Sequence, residues 1–286
     1  MRQEISSSKS TQTRNFIKDL YSFKFVIYAI SVFFFLFFIL PGFSLIWRAY
    51  KINSTFSLQG LQSIWTSLSL SLTTTGVSVL LIFFLGTPLA YNLARMKSTV
   101  NRFLTAFIEL PIVLPPVVAG LALLSTFGRQ GLLGTYLDVF GLQITFTPIA
   151  VVIAQIFVGA PFYIRSTQNR FSAIPKEIEE SARIDGASGW CVFRTIIIPL
   201  SSRAIISGLI LSWARALGEF GATILFAGNL EGKTQTMPLF IYNSLESDLG
   251  ATFTSASLML VLSLALFGLT RFLTNFDDEE VLATGY

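Results

Sequence analysis

The sequence contains no histidine and a single cysteine, Cys191, among its 286 residues. One cysteine excludes an intrachain disulfide, and the lack of histidine removes the commonest partner ligand for a zinc site. It also removes the usual general base of hydrolases. The sequence therefore predicts neither catalytic residues nor a metal site, and we expect Cys191 to be a small residue on the apolar side of its segment.

Charged residues are also scarce, at 13% of the chain, against about 25% in a typical soluble domain. Hydrophobic residues make up 52%, and 28 residues are Phe. A chain with so much apolar surface and so little charge needs an apolar solvent around it. The composition predicts an all-α polytopic membrane protein.

Six apolar segments are long enough to cross a bilayer core of about 30 Å. They are residues 25–47, 67–94, 103–127, 147–166, 201–227 and 249–272. Before them lies a basic arm, residues 1–24, whose pattern does not require it to fold, and after them a short acidic tail, residues 273–286. The membrane domain is therefore predicted to be residues 25–272.

The third span contains Pro111, Pro115 and Pro116, so its helix must be kinked or broken. Backbone groups that proline frees at membrane depth are tolerated only against protein or water. These prolines are therefore candidates for lining a path through the bundle. In the fifth span, small residues recur every four positions and predict close helix packing; they are Ala204, Gly208, Ser212 and Ala216.

One polar segment, residues 174–199, interrupts the apolar sequence. Pro175 can start a helix, Gly186 can end it in the left-handed conformation, and Ser188 can cap a second short helix. The segment is predicted to be a helix, a bend and a helix, too polar to cross a bilayer.

Basic residues set the orientation. Fifteen of the 20 Lys and Arg residues fall on the side that carries both termini and the polar segment. By the positive-inside rule, that side is predicted to be cytoplasmic.

A stretch that could suggest nucleotide binding is residues 227–234, which end in Gly232-Lys233-Thr234. A phosphate-binding loop needs glycine five positions before Gly232, and Ala227 stands there. The chain is therefore expected to bind no cofactor, and ATP with Mg²⁺ would have to be held by a separate subunit.

Within the polar segment, Glu180-Ser181-Ala182 is followed after three residues by Gly186, and after nine more by the run that ends at Pro199. This spacing resembles the EAA loop of ABC importer permeases, and departs from it mildly at Ser181 and Ile198. The resemblance implies a MetI-like permease fold, with residues 171–200 forming a cytoplasmic loop that docks on an ATPase. We refer to residues 171–200 as the EAA-like loop. The residues it implies for the coupling contact are Glu180, Ala182, Asp185, Gly186, Ala187 and Pro199.

Three further segments, residues 109–120, 214–229 and 234–239, resemble molybdate and tungstate permeases. That resemblance implies ATP-driven import of tetrahedral oxyanions across a prokaryotic cell membrane. It also implies a homodimer, two ATP-binding cassette subunits and an external oxyanion-binding protein, with no nucleic-acid partner. Sulfate/thiosulfate permeases share much of the Gly-Glu-Phe-Gly stretch and are the alternative. From other classes, the alternatives are a self-contained secondary transporter or channel and a membrane enzyme.

Arg215 and Glu219 are the only opposite-charge pair within a predicted span, and their spacing of four puts them on one helical face. Because a charge at mid-bilayer costs about 2.5–3.5 kcal/mol, both should face the bundle or water. Glu109 lies at the wrong depth to be their partner. Two interpretations stay open: a neutralised structural pair, or an arginine that lends positive potential to the anion path while Glu219 keeps it from becoming a trap.

Overall fold

The computed structural model describes the backbone of residues 2–52, 58–96 and 98–283, and the side chains of residues 24–52, 60–96 and 98–268. Within these ranges every regular element is a helix. The chain forms two compact units, Met1–Asn53 and Ser54–Tyr286. The first unit contains one helix, α1, from Arg2 to Ile52, so the basic arm is helical and continuous with the first apolar segment.

The second unit begins with a long helix and continues through shorter ones. The helices are α2 (Leu58–Arg95), α3 (Thr99–Val113), α4 (Pro116–Phe127), α5 (Gly134–Val139), α6 (Pro148–Ala173), α7 (Lys176–Ile184), α8 (Gly189–Val192), a π-helical turn (Phe193–Ile197), α9 (Ile198–Leu200), α10 (Ser202–Leu217), α11 (Gly221–Phe226), α12 (Met237–Ser244) and α13 (Leu249–Ala283).

In the described part of the chain, four helices are long and apolar enough to cross a membrane, and the count is six if each of two bent pairs is one span. One bent pair is α3 with α4, which meet at 119°. The break is where the sequence predicts it, since Pro115 caps α4 and Pro116 is its first residue, and neither proline can donate a backbone hydrogen bond. The other pair joins Gly189–Leu200 to α10 at 73°.

The fifth span differs from the prediction of one helix over residues 201–227. Helix α10 ends at Leu217 with Gly218 as its C-cap, and α11 begins at Gly221. Two further short helices, α5 and α12, lie inside stretches that the sequence pattern predicts as loops. Six and eight residues long, they are too short for an apolar repeat to show.

The core of the second unit forms where α6 packs against both α2 and α10. Glycines allow this close approach: a Cβ at Gly208 would lie 3.1 Å from Ser166 Cβ on α6. The hydroxyl of Ser212 donates to the carbonyl of Gly159 at 2.7 Å. These contacts confirm the packing that the small-residue repeat of α10 predicts.

The hydroxyl-rich start of α2 also contacts other helices. Ser71 Oγ accepts a hydrogen bond from the backbone N–H of Met237 at 2.7 Å. Trp213 Nε1 donates to Thr75 Oγ1 at 3.0 Å. The hydroxyls therefore join α2 to α12 and α10, which stabilises polar groups in an apolar bundle.

Candidate coupling loop and buried charge pair

The EAA-like loop folds as its residues predict. Helix α7 ends at Ile184, and Gly186 has φ of +92°, the left-handed region that favours glycine. The N–H of Ala187 donates to the carbonyl of Ala182 at 3.0 Å, which satisfies one carbonyl at the helix end. Ser188 Oγ accepts from the N–H of Cys191 at 3.2 Å and so caps α8. The predicted bend at Gly186 is confirmed.

The residues that the resemblance assigns to the coupling contact point in two directions. Glu180, Asp185, Gly186 and Pro199 are exposed. Ala182 and Ala187 are half-buried and pack against the core that α2, α6 and the EAA-like loop share. Exposed carboxylates and a glycine bend are thus presented outward, and the two alanines let the loop lie close to the bundle.

Ile184 and Trp190 are the two most exposed large apolar side chains on the EAA-like loop, although sequence reasoning did not assign them to the coupling contact. Ile184 is 86% exposed and Trp190 is 69% exposed. The available signal was their position, since both stand in the most polar segment of the chain, outside the predicted spans. Together with Glu180 and Asp185 they form a mixed polar and apolar outer face.

Cys191 does not lie on the apolar side of the loop, as its size suggested. It is exposed, and Thr195 Oγ1 lies 3.9 Å from its Sγ. The reason is register, because Val192, the next residue, takes the fully buried position of that turn.

The EAA-like loop is held to the bundle by side chains that sequence reasoning missed. Glu179, adjacent to the predicted contact residue Glu180, is buried and forms an ion pair with Arg95 at the end of α2. Tyr91 donates its hydroxyl to Glu179 Oε2 at 2.8 Å. At the other end of the loop, Arg170 donates to the carbonyl of Leu200 from Nη2 at 2.9 Å and from Nε at 3.1 Å.

The charge pair of the fifth span is formed. Arg215 Nη1 donates to Glu219 Oε2 at 2.7 Å, and Glu219 Oε1 accepts from the backbone N–H of Ala222 at 2.7 Å. The side chain of Arg215 is 29% exposed and that of Glu219 is 1% exposed. The two residues do not share one helix, however, because Glu219 lies beyond the end of α10, where its carboxylate satisfies an N–H at the start of α11.

Glu109 does not pair with Arg215, which agrees with the different depth expected for it in the membrane. Its Oε1 lies 3.6 Å from Arg165 Nε on α6. This pair is partly exposed, so it contributes little to stability by itself.

The two broken helices meet each other. A Cβ at Gly221, the first residue of α11, would lie 2.6 Å from Pro116 Cβ at the start of α4. A Cβ at Gly120 would lie 2.9 Å from the carbonyl oxygen of Ala222. Pro111 is buried, whereas Pro115 and Pro116 are exposed in the isolated chain. The start of α4, where prolines interrupt the third span, therefore packs against the start of α11, where the fifth span is interrupted.

Among the residues that the structure describes, no three Cys, Asp or Glu side chains come together as a metal site would require. Among the described residues, the candidate functional features are therefore the EAA-like loop and the Arg215–Glu219 pair.

Comparison of the sequence with known families matches residues 82–275 to the family described as binding-protein-dependent transport system inner membrane component. Among similar proteins, the probable transport system permease protein NifC of Clostridium pasteurianum is 40% identical over 73% of each chain. The molybdenum transport system permease protein ModB of Mycobacterium tuberculosis is 43% identical over 70% of this chain and 76% of its own length. The probable sulfate transport system permease protein cysT of Chlorella vulgaris is 41% identical over 64% and 69%.

Solved structures agree on the fold. A bacterial ABC transporter involved in the import of the acidic polysaccharide alginate superposes with a TM-score of 0.67 at 16% identity, over 88% of this chain and 95% of that one. The MetNI methionine ABC transporter superposes with a TM-score of 0.60 at 17% identity, over 77% and 98%. The chain belongs to the family of inner membrane components of binding-protein-dependent transport systems, and it is the permease subunit of an ABC transporter.

Proposed function

We propose that this permease forms the translocation path of an ATP-driven importer for tetrahedral oxyanions, with molybdate and tungstate as the cargo. The observation that carries the proposal is the naming of the relatives: permeases called molybdenum transport proteins are 43%, 39% and 36% identical to this chain over 70% or more of it. Sulfate is the second candidate cargo, because the cysT relative is 41% identical over 64% of this chain.

The EAA-like loop is proposed to couple the permease to an ATPase. Its exposed face combines the carboxylates of Glu180 and Asp185 with the apolar side chains of Ile184 and Trp190. Buried aromatic and aliphatic groups ringed by polar ones are what a stable protein contact uses. ATP and Mg²⁺ would be bound by that partner, and this chain would hydrolyse nothing itself.

The assembly that supports this function has a second copy of the chain, two ATP-binding cassette subunits and an external oxyanion-binding protein. One solved relative of the same fold is a bacterial alginate ABC transporter in complex with a periplasmic protein. The exposed breaks at Pro115 and Pro116, which lie where α4 meets α11, are proposed to line the path between the two copies.

The proposed orientation places the EAA-like loop and both termini in the cytoplasm. It rests on the asymmetry of the basic residues. Single cysteines in a Cys191→Ser background test it: Tyr136 and Lys233, both exposed, should label from outside, and exposed Ser172 should not. Gln235, two residues further on, is unsuitable as a labelling site because it is 4% exposed. Labelling of Ser172 from outside would refute the orientation.

Transport by the complete reconstituted system tests the cargo. Uptake of equal tracer amounts of molybdate, tungstate and sulfate should be high for the first two anions and low for the third. Sulfate uptake that excess molybdate does not compete away would favour the sulfate importer. Purification from native membranes separates an importer from a self-contained secondary transporter, since only the importer should retain an ATPase.

A further inference from the structure

Glu179 lies at the point where the EAA-like loop meets the bundle, but its carboxylate faces away from the outer face of the loop. The residue is 6% exposed, whereas Glu177 and Glu180 on the same helix are exposed. Both of its oxygens are used: Oε1 pairs with Arg95 Nη2, and Oε2 accepts from Tyr91. A buried carboxylate with both oxygens engaged holds a defined position.

Arg95 connects the same site to a second point on the loop. Its Nη1 donates to the carbonyl of Ile174 at 3.1 Å, just before α7 begins. Its guanidinium carbon also lies 5.8 Å from the centre of the Tyr91 ring, within the range of a cation–π contact. Arg95 is the last residue of α2, and Tyr91 lies one turn before it. The end of α2 therefore contacts both Ile174, which precedes α7, and Glu179 in the first turn of α7.

Few other contacts hold α7 against the bundle. Its main backbone contacts with other helices are with α8 inside the same loop. Arg95 also borders a cavity of about 810 Å³ between the α2–α3 connection and the start of α7, and a second cleft of about 310 Å³ that Tyr91 and Glu179 share. With open space beside it, α7 is held to α2 mainly by these side chains, and Ala182 adds a packing contact with the core.

Helix α2 is also the element that contacts α6, α10 and α12 across the bundle. A displacement of α7 that the ion pair transmits would therefore reach the helices around the charge pair and the broken spans. A buried pair suits this task, because it resists separation more than an exposed one.

We propose that Glu179, with Arg95 and Tyr91, is the positioning residue that carries motion of the EAA-like loop into α2. We refer to these three residues as the latch. The proposal rests on the proposed coupling of the loop to an ATPase. In it, Glu180 and the exposed face contact the partner, and Glu179 passes the displacement inward.

The test compares transport with ATP hydrolysis in the complete complex, reconstituted in vesicles with its ATPase and its binding protein. Glu179→Gln removes the charge and keeps the shape, and Tyr91→Phe removes only the hydroxyl bond. The control is Glu177→Gln, an exposed carboxylate two residues earlier on α7. In Glu179→Gln, molybdate uptake per ATP hydrolysed should fall at least about fivefold, the lower end of usual coupling factors. Tyr91→Phe should lose less, and the control should match wild type.

A second measurement follows the motion itself. Spin labels at Asn92 on α2 and Ser181 on α7, both exposed, are placed in the Cys191→Ser background. The distance between them should stay constant through the ATP cycle in wild type and change in Glu179→Gln. Absent ATPase association in wild type would refute the proposed function, whereas the latch is judged by the variants relative to wild type.

Two results would overturn the latch. One is an unchanged ratio of uptake to hydrolysis in both Glu179→Gln and Tyr91→Phe. The other is a loss of uptake and hydrolysis in equal proportion to a lower amount of assembled complex, which would make Glu179 a folding anchor only. If Glu179→Gln fails to assemble, Tyr91→Phe decides by the same ratio.

Discussion

In the part of the chain that the structure describes, two Arg–Glu pairs are largely buried and are built differently, one in the EAA-like loop and the other at the end of α10. Arg215 and Glu219 are four residues apart and close a break within one stretch of chain. Glu179 is joined to the end of α2, and its hydroxyl partner Tyr91 is 88 residues away in sequence. The first pair is local and the second connects two parts of the fold.

The two pairs also differ in the second hydrogen bond that each carboxylate accepts. Glu219 accepts from the N–H of Ala222, so it caps α11 and stabilises a discontinuity in the helix. Glu179 accepts from a side chain of another helix, so it fixes one element against another. We therefore expect damage to the first pair to reduce stability, and damage to the second to reduce coupling.

The largest effect is expected from Glu219→Ala. The change leaves Arg215 without its carboxylate and the N–H of Ala222 without its acceptor. Breaking a buried pair costs about 3–5 kcal/mol, and because Arg215 is 29% exposed we expect the lower end, about 3 kcal/mol. Thermal unfolding of the purified permease should show a clearly lowered midpoint.

Glu246→Ala is the control for that measurement, since Glu246 is an exposed carboxylate in the same part of the chain. It should change stability by no more than about 0.5 kcal/mol. Equal midpoints for the two variants would mean that the local pair is not structural, and the comparison of the two pairs would fail.

The double swap Arg215→Glu with Glu219→Arg separates the charge from the cap. It restores opposite charges, but an arginine at 219 cannot accept from the N–H of Ala222. Stability should therefore recover only in part, to about 1–2 kcal/mol below wild type, the cost of one unsatisfied buried donor. Unfolding midpoints of the single and double variants measure this recovery.

Transport by the same double variant distinguishes the two interpretations of the pair. A structural pair predicts near-normal uptake once the complex has assembled. A well-assembled complex with abolished uptake would show instead that Arg215 contributes its charge to the anion path.

The contrast between the pairs also explains what the sequence could predict. The Arg215–Glu219 contact follows from a spacing of four, the bend at Gly186 from its freedom at positive φ, and the cap at Ser188 from its hydroxyl. The break at Pro115 and Pro116 follows from missing N–H groups. Each of these depends on neighbours within a few residues.

Glu179 could not be found in that way. Three carboxylates stand within four residues of α7, and helix periodicity alone does not say which one the bundle covers. The answer depends on where the end of α2 lies, which is a property of the tertiary fold. The same limit applies to the end of α10 at Leu217, since a glycine-rich apolar stretch is equally compatible with a continuous span.

Gly186→Val should affect coupling more than stability. A Cβ at Gly186 would meet no atom within 4 Å, so the cost comes from the backbone at φ of +92°. Left-handed backbone costs a residue with Cβ about 1–2 kcal/mol, and valine's branched side chain adds bulk on the exposed face. We expect uptake per ATP to fall about tenfold, in keeping with usual coupling energies, while the unfolding midpoint falls by less than in Glu219→Ala.

The matched control is Gly189→Ala, three residues further along the same loop. Its Cβ would lie 3.9 Å from Arg183 Nη2, an ordinary contact, and its φ is not positive. It should couple as wild type does. Wild-type uptake by Gly186→Val with normal ATPase association would remove the bend from the coupling mechanism.

The smallest effect is expected from removing a helix cap. It compares the loss of the same kind of cap in the EAA-like loop and in the bundle. Ser188 Oγ accepts from the N–H of Cys191 at 3.2 Å, and Ser98 Oγ accepts from the N–H of Asn101 at the same distance. Ser188→Ala and Ser98→Ala should each cost about 0.5–1 kcal/mol, near the low end for exposed caps. Helix α8 has only four residues, so loss of its cap should shift the loop, whereas α3 has fifteen residues and should stay in place.

Ser188→Ala should therefore lower uptake per ATP about twofold, and Ser98→Ala should leave it unchanged. Ser188→Asp should restore the wild-type value, because aspartate caps a helix as well as serine does. An equal loss in both alanine variants would show that the cap acts through general stability and not through the shape of the loop.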